Sequence, residues 1–153
     1  MDDLLYQHFP QLQFSGATIN AGPQAVSEWH RDCQNLAWGL CAIFVTGRFD
    51  HKKHGQLLLR EPKVILTLQR GDLVFFPSAV ITHRNMPLAE GELRRSLVFY
   101  SGGGLFRWIA QGHMTERMMA SEDKTWKVEG NGTRWEEGWS FFMTLDQLLQ
   151  HKK

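Results

Sequence analysis

A histidine and an aspartate stand two residues apart at His30 and Asp32, in "SEWHRDCQNLAWGL". On a β-strand, residues two apart project from the same face. A strand here would therefore present an imidazole and a carboxylate side by side. That pair offers two of the three ligands of the two-His, one-carboxylate face on which iron(II) is commonly held, with positions left open for reactants. The third ligand has to come from a distant part of the chain. Fifty residues separate Asp32 from His83, which follows the apolar run of "PSAVITHRN". His30, Asp32 and His83 are thus the candidate metal ligands and catalytic centre.

After His83 and ten intervening residues comes "RRS", in which Arg94 and Ser96 share one strand parity. A guanidinium fork beside a hydroxyl suits a carboxylate, which it meets with parallel charge-assisted hydrogen bonds. The distal carboxylate of 2-oxoglutarate needs such a partner once its keto acid end chelates iron. Arg95 has the opposite parity and is expected to point away. Each residue also has an ordinary reading. Arg94 can be a surface ion pair, Ser96 a small strand residue, and Cys33 is read as a packed thiol rather than a ligand. The loop "DHKKH" reads as solvated, and Lys52, Lys53, Arg84 and Arg95 are candidates for a phosphate-contacting rim.

The elements that must position these residues read as strands. "GATINAG" (Gly16–Gly22), "AVSEWHRD" (Ala25–Asp32), "GLCAIFVTG" (Gly39–Gly47), "QLLL" (Gln56–Leu59) and "KVILTL" (Lys63–Leu68) come first. A turn at "QRGD" leads to "LVFFP" (Leu73–Pro77), then "AVITHRN" (Ala79–Asn85) and "RRSLVFYS" (Arg94–Ser101). Short strands at this spacing, with turn residues between them, suggest an antiparallel sandwich or a jelly-roll barrel. After "SGGG" the pattern turns helical, in "HMTERMMASEDK" and in "TRWEEGWSFFMTLDQLLQHKK", where Thr144 is a candidate N-cap. Residues 1–12 are expected to form a further short helix. The expectation is one mainly β domain over residues 1–153, with a barrel core of about 14–110 and a helical tail of about 111–153.

Composition bounds the function. A chain of 153 residues with 42% hydrophobic and 22% charged residues fits one globular domain. No apolar run approaches the ~20 residues that span a bilayer, and the acidic "MDDLLYQHFP" is unlike a signal peptide. No membrane partner is expected. Cys33 and Cys41 form no CxxC spacing, which favours an intracellular setting. A net charge of +1 neither requires nor excludes nucleic acid and leans slightly toward another substrate.

The HxD…H…RxS pattern resembles the iron(II)/2-oxoglutarate dioxygenases, whose fold is a double-stranded β-helix, a jelly-roll, cupin-like barrel. The resemblance runs from about Ala17 to Trp108. "HRDCQN" looks like the HxDxxN element of the TET/JBP branch, which oxidises methyl groups of modified pyrimidines in nucleic acid. It implies that Asn35 contacts the target cytosine, and that Tyr100, six residues after Arg94, stacks on a flipped base. "HRDCQNLAWGLCAI", "HGQLLL", "GDLVFFPSAVITHRN", "GELRRS" and "SGGGLFRWI" are more specifically similar to the compact TET/JBP-like proteins expanded in fungi. Two positions depart from the pattern: Gly102 replaces a His of the animal enzymes, and His54 stands where a glycine is usual.

The resemblance implies Fe(II) as cofactor, 2-oxoglutarate and O₂ as cosubstrates, succinate and CO₂ as co-products, a 5-methylcytosine-like base in nucleic acid as substrate, and a nuclear location. An oxygenase of small molecules or protein side chains, and a cupin-like binding domain without turnover, remain as alternatives, because fold does not fix function. The sequence does not choose between DNA and RNA and sets no oligomeric state.

Overall fold

The computed structural model describes residues 13–24, 26–121 and 131–150. The helix expected over residues 1–12 lies outside them. The chain divides into two units, Met1–Leu105 and Phe106–Lys153.

Among its described residues the first unit holds seven strands, β1 (Gly16–Asn20), β2 (Cys41–Arg48), β3 (Leu57–Leu59), β4 (Val64–Leu66), β5 (Leu73–Phe76), β6 (His83–Asn85) and β7 (Leu93–Tyr100). They form two antiparallel sheets, one of order β1-β7-β2-β5 and one of order β4-β3-β6. Among the described residues no ladder joins the two sheets. The register sets the faces. Val45 lies opposite Ser96 and Ile43 opposite Val98 across β2 and β7, while Asn20 lies opposite Ser96 across β1 and β7. Cys41, Ile43 and Val45 turn one way from β2, and they pack with Leu57 and Leu59 of β3, Leu68 and Phe76 into one buried cluster. The core therefore draws on both sheets, each burying one face.

Two segments expected to be strands depart from that expectation. Between 26 and 32 the β pairing is confined to an isolated bridge, His30 to His83. The expected strand Ala79–Asn85 shrinks to β6, because the amides of Val80 and Ile81 both donate to the Pro77 carbonyl and wind 77–81 into a turn. "QRGD" does form a turn, closed by the Asp72 amide on the Gln69 carbonyl at 3.1 Å. It links strands of different sheets rather than a hairpin. The expected alternation of β7 holds: Arg94 and Ser96 are buried and Arg95 is exposed.

Among the described residues four helices follow: α1 (Gly103–Ala110), α2 (Glu116–Ser121), α3 (Asn131–Ser140) and α4 (Leu145–Gln150). α1 begins directly after β7 and was not expected as a helix. In the second unit, Thr144 caps α4 reciprocally: its hydroxyl accepts the Gln147 amide at 3.3 Å, and the Gln147 side chain accepts the Thr144 amide at 2.8 Å. No helix among the described residues is long and apolar enough to cross a membrane.

Candidate metal centre

His30 and His83 are brought together by their backbones. The His30 amide donates to the His83 carbonyl at 3.1 Å and the His83 amide returns the bond at 2.9 Å. This reciprocal pair holds the two rings at a centroid separation of 4.3 Å. Asp32 is fixed separately, its amide donating to the Ser78 carbonyl at 3.0 Å before the chain turns, where the Asn35 amide closes on the Asp32 carbonyl at 2.8 Å. One ligand atom from each of His30, Asp32 and His83 lies within 4.8 Å of the others, with His30 Nε2 at 3.6 Å from Asp32 Oδ1.

The hydrogen bonds of the rings set their tautomers. His30 Nδ1 lies 2.7 Å from the Glu28 carbonyl, and His83 Nδ1 lies 2.9 Å from the Ile81 carbonyl. A carbonyl only accepts, so in each ring Nδ1 carries the proton. Each Nε2 then presents its lone pair toward the group, the arrangement that metal-binding imidazoles take from their outer partners. Burial pushes His83 below the usual imidazole range, against a smaller upward pull from the Ile81 carbonyl, which favours the neutral, ligating form. The donor set of two imidazole nitrogens and one carboxylate fits iron(II).

The group opens into a cavity of about 620 Å³. Ser96, Asn35 and Tyr100 also line it. Ser96 Oγ accepts a hydrogen bond from Asn20 Nδ2 at 3.1 Å, which leaves the hydroxyl proton available to another acceptor. The Tyr100 ring passes over Gly16, where an added Cβ would meet it at 3.0 Å. Arg94 is not a wall residue of the cavity. It is 1% exposed on the inward face of β7, two residues before Ser96, and burial lowers its pKa from the ordinary guanidinium value.

Asn35 does more than line the cavity. Its Nδ2 reaches Asp32 Oδ2 at 3.4 Å and Ser78 Oγ at 3.2 Å. Cys33, expected to be packed, is exposed and lines the cavity instead, because it lies in the turn that follows Asp32 rather than on a strand. In the "DHKKH" loop Lys53 pairs with Asp50 and His54 pairs with Glu92 at 3.0 Å, so His54 is not merely solvated. Arg84 stacks over Trp29 at 5.4 Å from the ring centroid.

Sequence reasoning passed over Asn20 and Ser78. The polar Thr18 and Asn20 alternate with apolar Ala17 and Ile19 along β1, a period-two signal that could have marked a cavity-facing side. Ser78 carried no such signal, since its role comes from a carbonyl and a hydroxyl meeting residues more than forty positions away.

Fold and site together define a mainly β protein, two antiparallel sheets with a few helices, carrying a His-Asp-His group able to hold a metal ion. No protein-family model matches the chain, and no curated protein sequence matches it. Among solved structures it is similar to NgTET1 in complex with 5mC DNA, with a TM-score of 0.51 and 19% identity. The likeness covers 58% of this chain and 34% of that one, so the chain matches about a third of the length of that structure. At this identity the likeness speaks for a TET-like fold.

Proposed function

We propose that the chain is an iron(II)- and 2-oxoglutarate-dependent dioxygenase of the TET/JBP type, with a double-stranded β-helix core. In this reading it oxidises the methyl group of a 5-methylcytosine-like base in nucleic acid, with succinate and CO₂ as co-products. The observation that carries the proposal is the convergence of His30, Asp32 and His83 at the wall of a cavity, with both Nε2 atoms left free by their Nδ1 hydrogen bonds. The likeness to NgTET1 in complex with 5mC DNA supports the choice of substrate class.

His30 Nε2, a carboxylate oxygen of Asp32 and His83 Nε2 would hold the iron. Bound iron, with 2-oxoglutarate and O₂, supplies the oxidation of an unactivated C–H bond, chemistry that no side chain provides. The remaining work belongs to the chain. Ser96, its oxygen occupied by Asn20, donates its proton to the distal carboxylate of the cosubstrate, and Arg94 on the same face supplies the charge. Asn35 holds the Asp32 carboxylate in orientation. Tyr100 offers its ring to a base swung out of the helix, offsetting part of the few kcal/mol that unstacking costs. A nuclear location belongs to the same proposal.

A second reading, an oxygenase acting on a small molecule or protein side chain, is favoured by the net charge of +1 and by the engagement of Asn35 with Asp32 and Ser78. The test is anaerobic loading with Fe(II) and 2-oxoglutarate, then admission of air with DNA or RNA oligonucleotides containing 5-methylcytosine. Succinate and oxidised nucleosides are measured by mass spectrometry. Oxidised base together with succinate supports the proposal. Succinate without any oxidised base moves the substrate to the second reading, and no iron-dependent succinate at all leaves a binding domain.

A further inference from the structure

We infer that His54 and Glu92 form a clamp that positions the Arg94 side chain for the carboxylate of 2-oxoglutarate. The inference rests on the reading of Arg94 given under the proposed function. It begins with the Glu92 carboxylate, which accepts two backbone amides and lies within ion-pairing distance of His54. Oε1 accepts the Asp50 amide at 2.7 Å, while Oε2 accepts the Ala89 amide at 2.9 Å and faces His54 Nδ1 at 3.0 Å. One side chain thus ties the loop after β2 to the turn before β7. The Gly55 amide adds a backbone tie between the same two segments, donating to the Pro87 carbonyl at 3.3 Å.

The loop after β2 runs beside the stem of Arg94 at Gly55. A Cβ built at Gly55 would lie 3.1 Å from Arg94 Cδ, 3.0 Å from Leu88 Cδ2 and 3.2 Å from the Phe49 ring. Position 55 therefore leaves no room for a side chain beside the arginine stem, and the residue immediately before it is the one that faces Glu92. An arginine side chain has several rotatable bonds, and ordering them costs free energy on binding. Walls that fix the stem beforehand reduce that cost. Glu92 is two residues before Arg94, so the clamp acts at the start of the strand that carries the guanidinium. His54 and Glu92 belong neither to the His30–Asp32–His83 group nor to the residues lining the cavity, and they act through Arg94 as positioning residues.

The test compares His54→Ala with His54→Asn, because an asparagine Nδ2 can occupy the place in which the imidazole Nδ1 faces Glu92 Oε2. Two quantities are read in each variant: the affinity of the Fe(II)-loaded protein for 2-oxoglutarate by anaerobic calorimetry, and solvent exchange of the Arg94 Nε proton by NMR. The clamp predicts that His54→Ala weakens 2-oxoglutarate by about tenfold and speeds Arg94 exchange, leaves Fe(II) affinity unchanged, and that His54→Asn restores both quantities. Unchanged exchange in His54→Ala overturns the clamp. So does a loss of Fe(II) affinity alongside, which marks general loosening, and so does failure of His54→Asn to rescue. If the wild-type protein binds no 2-oxoglutarate, the proposed function falls, and the exchange of Arg94 still decides the clamp.

Discussion

The carboxamide nitrogen of Asn35 lies 3.4 Å from Asp32 Oδ2 and 3.2 Å from the hydroxyl of Ser78, so one side chain joins a candidate metal ligand to the buried serine that also anchors the Asp32 backbone. Partners of this kind orient a ligand, and losing one typically costs metal affinity of ~10–100-fold. Asn35→Ala is therefore expected to weaken Fe(II) or Mn(II) binding by that order in anaerobic titration. A residue that touches only substrate leaves metal affinity untouched, so an unchanged titration would return Asn35 to the role expected from sequence.

Removal of the two histidines separates metal binding from stability. His30→Ala and His83→Ala each take one ligand from the group, and both are expected to abolish tight metal binding. Their effects on folding differ. His83 is 5% exposed, bridges to the Ile81 carbonyl and meets the Phe76 ring edge-on at 4.9 Å, whereas His30 is exposed. His83→Ala should cost ~1–3 kcal/mol from lost packing and an orphaned carbonyl. His30→Ala should stay within ~0.5 kcal/mol. Urea unfolding of the metal-free variants checks this; equal losses would contradict the packing assigned to His83.

Parity made part of this site legible in the sequence. In β7 the alternation that separates Arg94 from Arg95 is a property of any strand, and the burial follows it. His30 and Asp32 converge for a different reason from the one their spacing suggests. The segment is pinned by bonds to His83 and Ser78, and those partners are not local. Alternation in a sequence cannot distinguish a laddered strand from an extended segment held at single points. The Asn35–Ser78 and His54–Glu92 contacts were illegible for the same reason, since nothing near either residue encodes the approach of the other. The two sheets followed from strand composition and turn residues, whereas α1 did not, its glycine start reading as a terminator.

The two thiols should react very differently. Cys41 is buried, and burial pushes its pKa up to about 11, while Cys33 is exposed. The thiolate is the reactive form. Iodoacetamide at pH 8 is expected to label Cys33 in the native protein and Cys41 only after unfolding, as peptide mass spectrometry would show. The sign for stability follows. The folded Cys41 holds its proton more tightly than an unfolded thiol near ~8.5, so its contribution is full below that pH and is lost as pH rises toward the folded value. Native labelling of Cys41 at a rate like that of Cys33 would contradict the burial.

Glu92 gives stability the opposite pH dependence. The Asp50 amide, then the Ala89 amide and His54, hold its carboxyl below the ordinary glutamate range. A depressed folded pKa contributes stability above the unfolded value of ~4.3, and that contribution is lost as pH falls through the folded value. Glu92→Gln is expected to lower the urea midpoint at pH 7, with the gap from wild type closing below about pH 4. A gap that persists unchanged at pH 3 would mean that the carboxylate charge contributes nothing.

Gly47 faces Arg94 across β2 and β7, and its backbone makes the sharpest prediction for the strand that carries the guanidinium. Its φ is +123°, and a Cβ there would lie 2.1 Å from the Leu93 carbonyl oxygen and 3.0 Å from Arg94 Cα. Both are backbone atoms of the paired strand, which cannot move aside without breaking the ladder. Gly71 supplies the comparison: its φ is +95°, yet nothing lies within 4 Å of the added Cβ. Gly71→Ala should therefore report conformational strain alone, about 1–2 kcal/mol. Gly47→Ala adds a collision and should exceed it by at least ~2 kcal/mol. Because the displaced atoms belong to Leu93 and Arg94, the larger loss should come with weaker 2-oxoglutarate binding in Gly47→Ala and with none in Gly71→Ala. Equal destabilisation of the two variants would show that β2 and β7 do not approach as closely at Gly47 as the structure places them.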